Sequence, residues 1–267
     1  MQTPQREEIN DRGSWYLTKS VLDNSPSMDF LRRKCAEKQG GGDDADLLEK
    51  ARKMEAKYRL ATCGFLQEAG QRLRLPQLTI ASAIVFYHRF FTRHSYEDWH
   101  RIEVATTSLF LASKVEETPK KLKDVVATSY ELDQKEPPPA ESSEKFLQMK
   151  DRVLICERCL LQALNFDLSL DHPYKPLLAY VKSINGSRDL AQVAWNFIND
   201  SFRTTLCLQA RPRTPPCARR SLAADLSPAR ALCAVPAALH LGRRAPALPA
   251  LFSKEGPARR AARLQWR

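Results

Sequence analysis

Apolar residues recur along most of the chain at spacings of three and four, the period that collects them on one side of an α-helix. Alternating strand patterns are absent, so the body reads as all-α. Met54, Tyr58, Ala61, Phe65 and Ala69 mark one helix face that ends near Leu75-Pro76. Gln77 opens the next helix, to about Arg93, with Ile80, Ile84, Tyr87 and Phe91 on one side. From Ile102 to Glu117 the pattern changes. Val104, Ala105, Leu109, Phe110, Leu111, Ala112 and Val115 surround that helix, and the remaining Thr and Ser residues are small, which predicts burial on most sides.

Thr118-Pro119 fits an N-cap followed by proline at the first helical position, opening a short helix to about Leu132. Asp133 to Ser143, with prolines at 137–139, is a polar connector. A strong helix follows, with Phe146, Met149, Val153, Glu157, Leu161 and Leu164 on one stripe. His172-Pro173 opens another segment through Val181, and Asp189 to about Gln209 forms the last helix. Towards the N-terminus, Gly40 to Asp44 is a flexible connector, preceded by a short segment containing Trp15 that could dock separately.

Composition narrows the function classes. Hydrophobic residues make up 43% of the 267, enough for a packed core. No run reaches the roughly 18 apolar residues of a membrane span, and the polar start lacks a signal-peptide core, so an intracellular protein with no membrane partner is expected. The formal charge of +11 is concentrated at one end, where Ala210 to Arg267 holds eleven Arg and one Lys against one Asp and one Glu. The remaining body is close to neutral, which argues against an electrostatic nucleic-acid footprint there.

Seven cysteines, odd in number and scattered, form no disulfide framework. Cys156 and Cys159 have C-x-x-C spacing but lie in a helical pattern with no second ligand pair, so no metal site is expected. His88, His94 and His100 are six apart and point to different helix faces. No Gly-rich phosphate loop or nucleophile elbow occurs, and no cofactor is implied.

Two charge anomalies stand out. Lys114, Glu116 and Glu117 cluster at the end of the most apolar helix, and Glu157 falls among apolar residues. An unpaired buried carboxylate costs several kcal/mol. Either Lys114 and Glu157 form an internal ion pair, or together with Leu111, Val115 and Leu161 they make an apolar surface with two polar anchors for a partner.

At this point the residues resemble the cyclin box of the transcriptional cyclins, chiefly plant-type cyclin T and, less closely, cyclin K. The likeness covers roughly residues 14 to 209. It is carried by Ser14-Trp-Tyr16, Asn24-Ser-Pro-Ser27, Leu66-Gln-Glu-Ala-Gly-Gln-Arg-Leu73, His88-Arg-Phe-Phe91, Leu111-Ala-Ser-Lys-Val-Glu-Glu-Thr-Pro119, Asn165-Phe-Asp-Leu168, His172-Pro-Tyr-Lys-Pro176 and Ala194-Trp-Asn-Phe-Ile-Asn-Asp200. The resemblance implies a five-helix first cyclin box over 47–168, an N-terminal extension over 1–46, and the start of a second, incomplete box over 169–209.

It also implies a non-catalytic, nuclear regulator that activates a transcription-type cyclin-dependent kinase acting on the RNA polymerase II C-terminal repeat. In the family, a lysine of the third box helix and a glutamate of the fifth bind backbone at the ends of the kinase's mobile regulatory helix. Lys114 and Glu157 match those positions, Leu111, Val115, Glu117, Leu161 and Phe166 fall where cyclins line the same surface, and Arg59 matches an internal arginine. His88 precedes Arg89 as in transcriptional cyclins, where cell-cycle cyclins have Asp. The substrate-docking patch of cell-cycle cyclins is not reproduced over Tyr58 to Thr62. The competing classes are a cyclin-fold general transcription factor that binds nucleic acid and a Cys-dependent metal or redox enzyme.

After Gln209 the family pattern stops. Residues 210–267 are rich in Ala, Arg and Pro and contain no Ile, Asn or Tyr. A shifted reading frame, a retained intron or an alternative exon would produce such a tail, as would a genuine disordered basic segment. Either way, the helices expected to cover Trp195, Phe197 and Phe202 are missing, which predicts exposed aromatic surface.

Overall fold

A computed structural model describes residues 15–39 and 43–209, so residues 40–42 of the glycine connector and the whole 210–267 tail lie outside the described residues. The described elements are all helical: α1 (Lys19–Asp23), α2 (Pro26–Gln39), α3 (Asp44–Arg72), α4 (Gln77–Arg93), α5 (Arg101–Val115), α6 (Leu122–Gln134), α7 (Glu144–Ala163), α8 (Tyr174–Ser183) and α9 (Arg188–Ser201), followed by a 3₁₀ turn at Thr205–Leu208. They divide into two compact units, residues up to 172 together with 199–209, and residues 173–198.

In the first unit α5 is buried from Val104 through Ser113 and packs against α3, α4, α6 and α7. Its hydroxyls satisfy themselves on the preceding turn. Thr106, Thr107 and Ser108 donate to the carbonyls of Ile102, Glu103 and Val104 at 2.9, 2.8 and 2.7 Å, so no polar group is stranded. The second central helix is α4, which is buried from Thr79 through Thr92, although its sequence suggests a single apolar face. Gly70 of α3 lets α3 and α4 approach closely, because a Cβ there would lie 2.5 Å from Cγ1 of Ile80. Ile80 is itself fully buried and cannot yield.

Several expectations shift in register or length. On α3 the buried positions are Arg59, Thr62, Cys63, Leu66, Ala69 and Gly70, whereas Ala61 is exposed and Phe65 only half-buried. The reason is Arg59: a positive residue inside the core displaced the apolar face that a hydropathy count would draw. Helix α6 begins at Leu122, not at Thr118. Thr118 closes α5 instead, its N–H donating to the Ser113 carbonyl at 2.8 Å and its hydroxyl meeting that of Thr79 at 3.0 Å. Helix α9 stops at Ser201. In the second unit Trp195 is buried against Tyr174, ring centroids 4.3 Å apart. Phe202, in the first unit, is buried too, so of the three aromatics expected to be uncovered only Phe197 is exposed, at 40%.

The buried polar centre of the first unit is Arg59, 2% exposed. Glu55 Oε1 accepts from its Nε and Nη2 at 3.0 and 2.7 Å, and His88 Nδ1 accepts from Nη1 at 2.9 Å. Arginine offers no acceptor, so the His88 proton sits on Nε2, which donates to the Phe202 carbonyl at 2.9 Å. Helices α3 and α4 and the segment after α9 are thereby tied at one point. Burial, reinforced by the Arg59 charge, pushes the His88 pKa down to about 3 from its ordinary 6.5.

Because folding lowers this pKa, its contribution to stability is complete above about pH 6.5 and is lost as pH falls toward 3. Between about pH 6.5 and pH 5 the loss amounts to roughly 2 kcal/mol. Urea unfolding measured at both pH values should show that loss in the parent chain and a smaller one in His88→Gln; equal pH dependence in the two proteins contradicts the assignment. Gly70→Ala should cost about 1–3 kcal/mol in the same measurement, since the added methyl overpacks Ile80.

Candidate functional site

The C-terminal end of α5 emerges from the core beside α7. Three consecutive backbone bonds close the helix: Glu116 N–H to Ala112 O at 2.9 Å, Glu117 N–H to Lys114 O at 3.3 Å and Thr118 N–H to Ser113 O at 2.8 Å. Glu117 takes φ 53°, a left-handed conformation that turns the chain outward. Leu111 stays buried one turn earlier, Val115 is half-buried, and the Glu117 side chain is exposed.

Lys114 pairs with Glu157 of α7. Its ammonium also lies 4.3 Å from the centre of the buried Phe110 ring, a cation–π contact that fixes where the charge sits. The Lys114 side chain is 43% exposed and that of Glu157 is 12% exposed. The pair therefore stands at the edge of the core: the two side chains bond to each other, Lys114 faces outward and Glu157 is largely covered. The neighbouring Glu116 is used internally. It accepts the Ser82 hydroxyl at 2.6 Å, and Ser82 Oγ lies 2.8 Å from His172 Nε2, whose pKa is held below its ordinary value by burial.

Along α7 the buried positions are Phe146, Val153, Cys156, Leu160 and Ala163; of the expected stripe Phe146, Val153 and Leu164 are buried, while Met149, Glu157 and Leu161 are only half-buried. That arrangement leaves Leu147, Leu154 and Leu161, spaced seven apart, along one outward side next to Glu157. Leu147 and Leu154 are exposed, at 46% and 42%, and Leu161 is half-buried. Leu154 and the equally exposed Ile155 escaped the sequence reading. The available signal was the run Val153-Leu-Ile155, in which a helix can bury only one or two of three consecutive side chains.

Beyond the last turn of α7, Asn165 and Phe166 adopt φ 52° and 57°, and the Phe166 N–H donates to Leu161 O at 3.0 Å. Phe166 is 68% exposed, the most exposed large apolar side chain among the described residues. Lys114, Glu157, Leu161 and Phe166 are thus brought to one surface formed by the ends of α5 and α7. Leu111 supports it from beneath, and Val115 and Glu117 lie at the α5 end.

Burial pushes the Cys156 thiol up to about 11, so the thiolate that a metal or redox site needs is disfavoured. Among the described residues no group of His, Cys, Asp and Glu is arranged to hold a metal ion, and no helix is long and apolar enough to cross a membrane.

The family model for the cyclin N-terminal domain matches residues 30–169. Cyclin-T1-3 of Oryza sativa subsp. japonica is 45% identical over 205 residues, covering 74% of this chain and 38% of the relative. Cyclin-T1 of Mus musculus is 37% identical over 213 residues, covering 79% and 27%. The chain thus spans well under half the length of these curated relatives. By structure, it is similar to a chain of the yeast RNA Pol II CTD kinase CTDK-1 complex, with a TM-score of 0.55 and 21% identity over 72% of this chain and 56% of that one. That likeness is one of fold.

Removing Lys114 leaves Glu157, only 12% exposed, without its cation, whereas removing Glu157 leaves a lysine that is 43% exposed. Lys114→Ala should therefore lower the free energy of unfolding by about 1–3 kcal/mol and Glu157→Ala by less than about 1 kcal/mol, measured by urea unfolding. Equal losses in the two variants would contradict this asymmetry.

Proposed function

The chain belongs to the cyclin family and is similar to its T-type members, and on that premise we propose that it is the regulatory subunit of a cyclin-dependent kinase acting on the RNA polymerase II C-terminal repeat. The observation that carries this reading is the Lys114–Glu157 pair, held at the exposed junction of α5 and α7 with Leu161 and Phe166 beside it.

Magnitudes favour a pair that opens for a partner. Lys114 is the exposed member and Glu157, at 12% exposed, must find a new donor when the pair opens. Each charged group can then make a hydrogen bond worth about 1.5–3 kcal/mol to backbone of a docked segment in a drier environment. Carbonyls and N–H groups left free near a helix terminus attract a cation and an anion respectively, and the two side chains separate to reach them. Leu161 and Phe166 supply apolar area that only a covered surface would use.

Docking of this kind shifts the kinase toward the conformation in which its own Lys–Glu pair is assembled, and the bias equals the difference in affinity for the two conformations. The kinase carries out phosphoryl transfer, while this chain supplies no catalytic group and acts in the nucleus. In the same reading residues 47–168 form the first cyclin box and 169–209 begin a second.

The test uses a purified cyclin-dependent kinase of the C-terminal-repeat class and a repeat peptide. The parent chain should bind it and stimulate phosphorylation. Lys114→Ala, Glu157→Ala and Phe166→Ala should each weaken binding by roughly tenfold, about 1.4 kcal/mol, with the fold intact. Parent-like binding by all three variants, or no stimulation by the parent, would sink the proposal.

A further inference from the structure

We propose that Trp15 is a positioning residue for Phe166, acting through Arg89, Arg93 and Asp167; the inference rests on the docking role given to Phe166 above. The backbone shows why positioning is needed. Asn165 and Phe166 are consecutive non-glycine residues in the left-handed region, at φ 52° and 57°. Asn tolerates this region but a bulky Phe does not, and strain of this kind persists only where the surroundings over-determine it. Without restraint the turn would relax and the Phe166 ring would lose its place.

The restraints come from α4. Arg93 Nη1 donates to Ala163 O at 2.8 Å and to Asn165 Oδ1 at 2.7 Å, gripping the end of α7 and the first strained residue together. Arg89, one turn earlier on the same face, donates from Nη1 to Asp167 O at 3.3 Å on the far side of Phe166. The exposed aromatic is thus bracketed by two guanidiniums.

Those guanidiniums are themselves held by Trp15. Their central carbons each lie 4.6 Å from the centre of its ring, so one indole offsets two like charges. The indole Nε1–H donates to Asp167 Oδ2 at 2.9 Å, which ties the ring directly to the turn. Trp15 is only 8% exposed, and the following backbone is anchored by Leu17 N–H to Leu208 O at 2.7 Å, with Leu17, Leu22 and Leu208 forming a small apolar cluster. A residue 151 positions before Phe166 in the sequence thereby holds the turn that displays it.

Two measurements on the full chain test this. In the free protein, Trp15→Ala should raise amide exchange at residues 165–167 by roughly tenfold while amides in the middle of α4 keep their protection. Trp15→Phe keeps a ring over the arginines but loses the bond to Asp167, and should give a smaller rise at the same amides. It also stands in if Trp15→Ala does not fold. Unchanged exchange at 165–167 in the folded variants overturns the clamp.

With the same purified kinase as probe, Trp15→Ala should weaken binding in the parent background but add little in a Phe166→Ala background, because both changes remove one contact. An equal loss in both backgrounds overturns action through Phe166. Parent-like binding by Phe166→Ala overturns the docking role instead, and the exchange result then still decides whether the clamp exists.

Discussion

A guanidinium removed from water has to be paired, and the pairing of Arg59 constrains everything around it. Glu55 takes up its charge along the same helix, and His88 accepts its remaining directed donor from α4. Because His88 must accept on one nitrogen, it donates from the other, to the carbonyl of Phe202 at 2.9 Å, with Cys63 Sγ farther off at 3.5 Å. One buried charge therefore sets the spacing of α3 and α4, the tautomer of a histidine and the return of the chain after α9. In transcriptional cyclins, which the sequence resembles, the same histidine stands where cell-cycle cyclins have aspartate. A neutral acceptor there leaves the Arg59 charge to Glu55 and frees the second ring nitrogen to hold the returning chain.

The proposed docking surface rests on α4 and α5, which are buried along most of their length. α5 is buried on all sides until its last turn, so the emergence of Lys114 is determined by the core and not by local flexibility. α7 contributes Glu157 at the edge of its buried face and then ends in a strained turn that shows Phe166 to solvent. Arg89 and Arg93, next to His88 on α4, hold that turn from behind. The polar residues of one buried helix thus serve two ends of the molecule: His88 the core, and the two arginines the surface.

Much of this was legible along the chain. The helix Gln77–Arg93 has the same ends in sequence and structure, and the all-round apolar pattern after Ile102 correctly marked a central helix. The pairing of Lys114 with Glu157 was foreseeable because both charges interrupt apolar patterns and must be satisfied. The faces of α3 and α7 were misplaced by part of a turn for a common physical reason. Hydropathy alone carries no signal that a paired arginine such as Arg59 is buried or that a leucine such as Leu154 is left bare, and here both occur. Thr118-Pro119 misled in a similar way, since a hydroxyl followed by proline caps a helix only if that hydroxyl is not already closing the previous one.

What the sequence by itself determined, then, was the helical class, the order of the helices from α3 onward, the family resemblance and the two charges that need partners, because these follow from local periodicity and from the cost of burying an ion; α1 and α2 were not read from it. Tertiary structure alone decided which face of each helix turned inward, that Trp15 closes over Arg89 and Arg93, and that Phe166 stands exposed on a strained turn. Those outcomes depend on side chains that meet across 70 to 150 residues of sequence, where pattern carries no distance and only packing can choose among the partners.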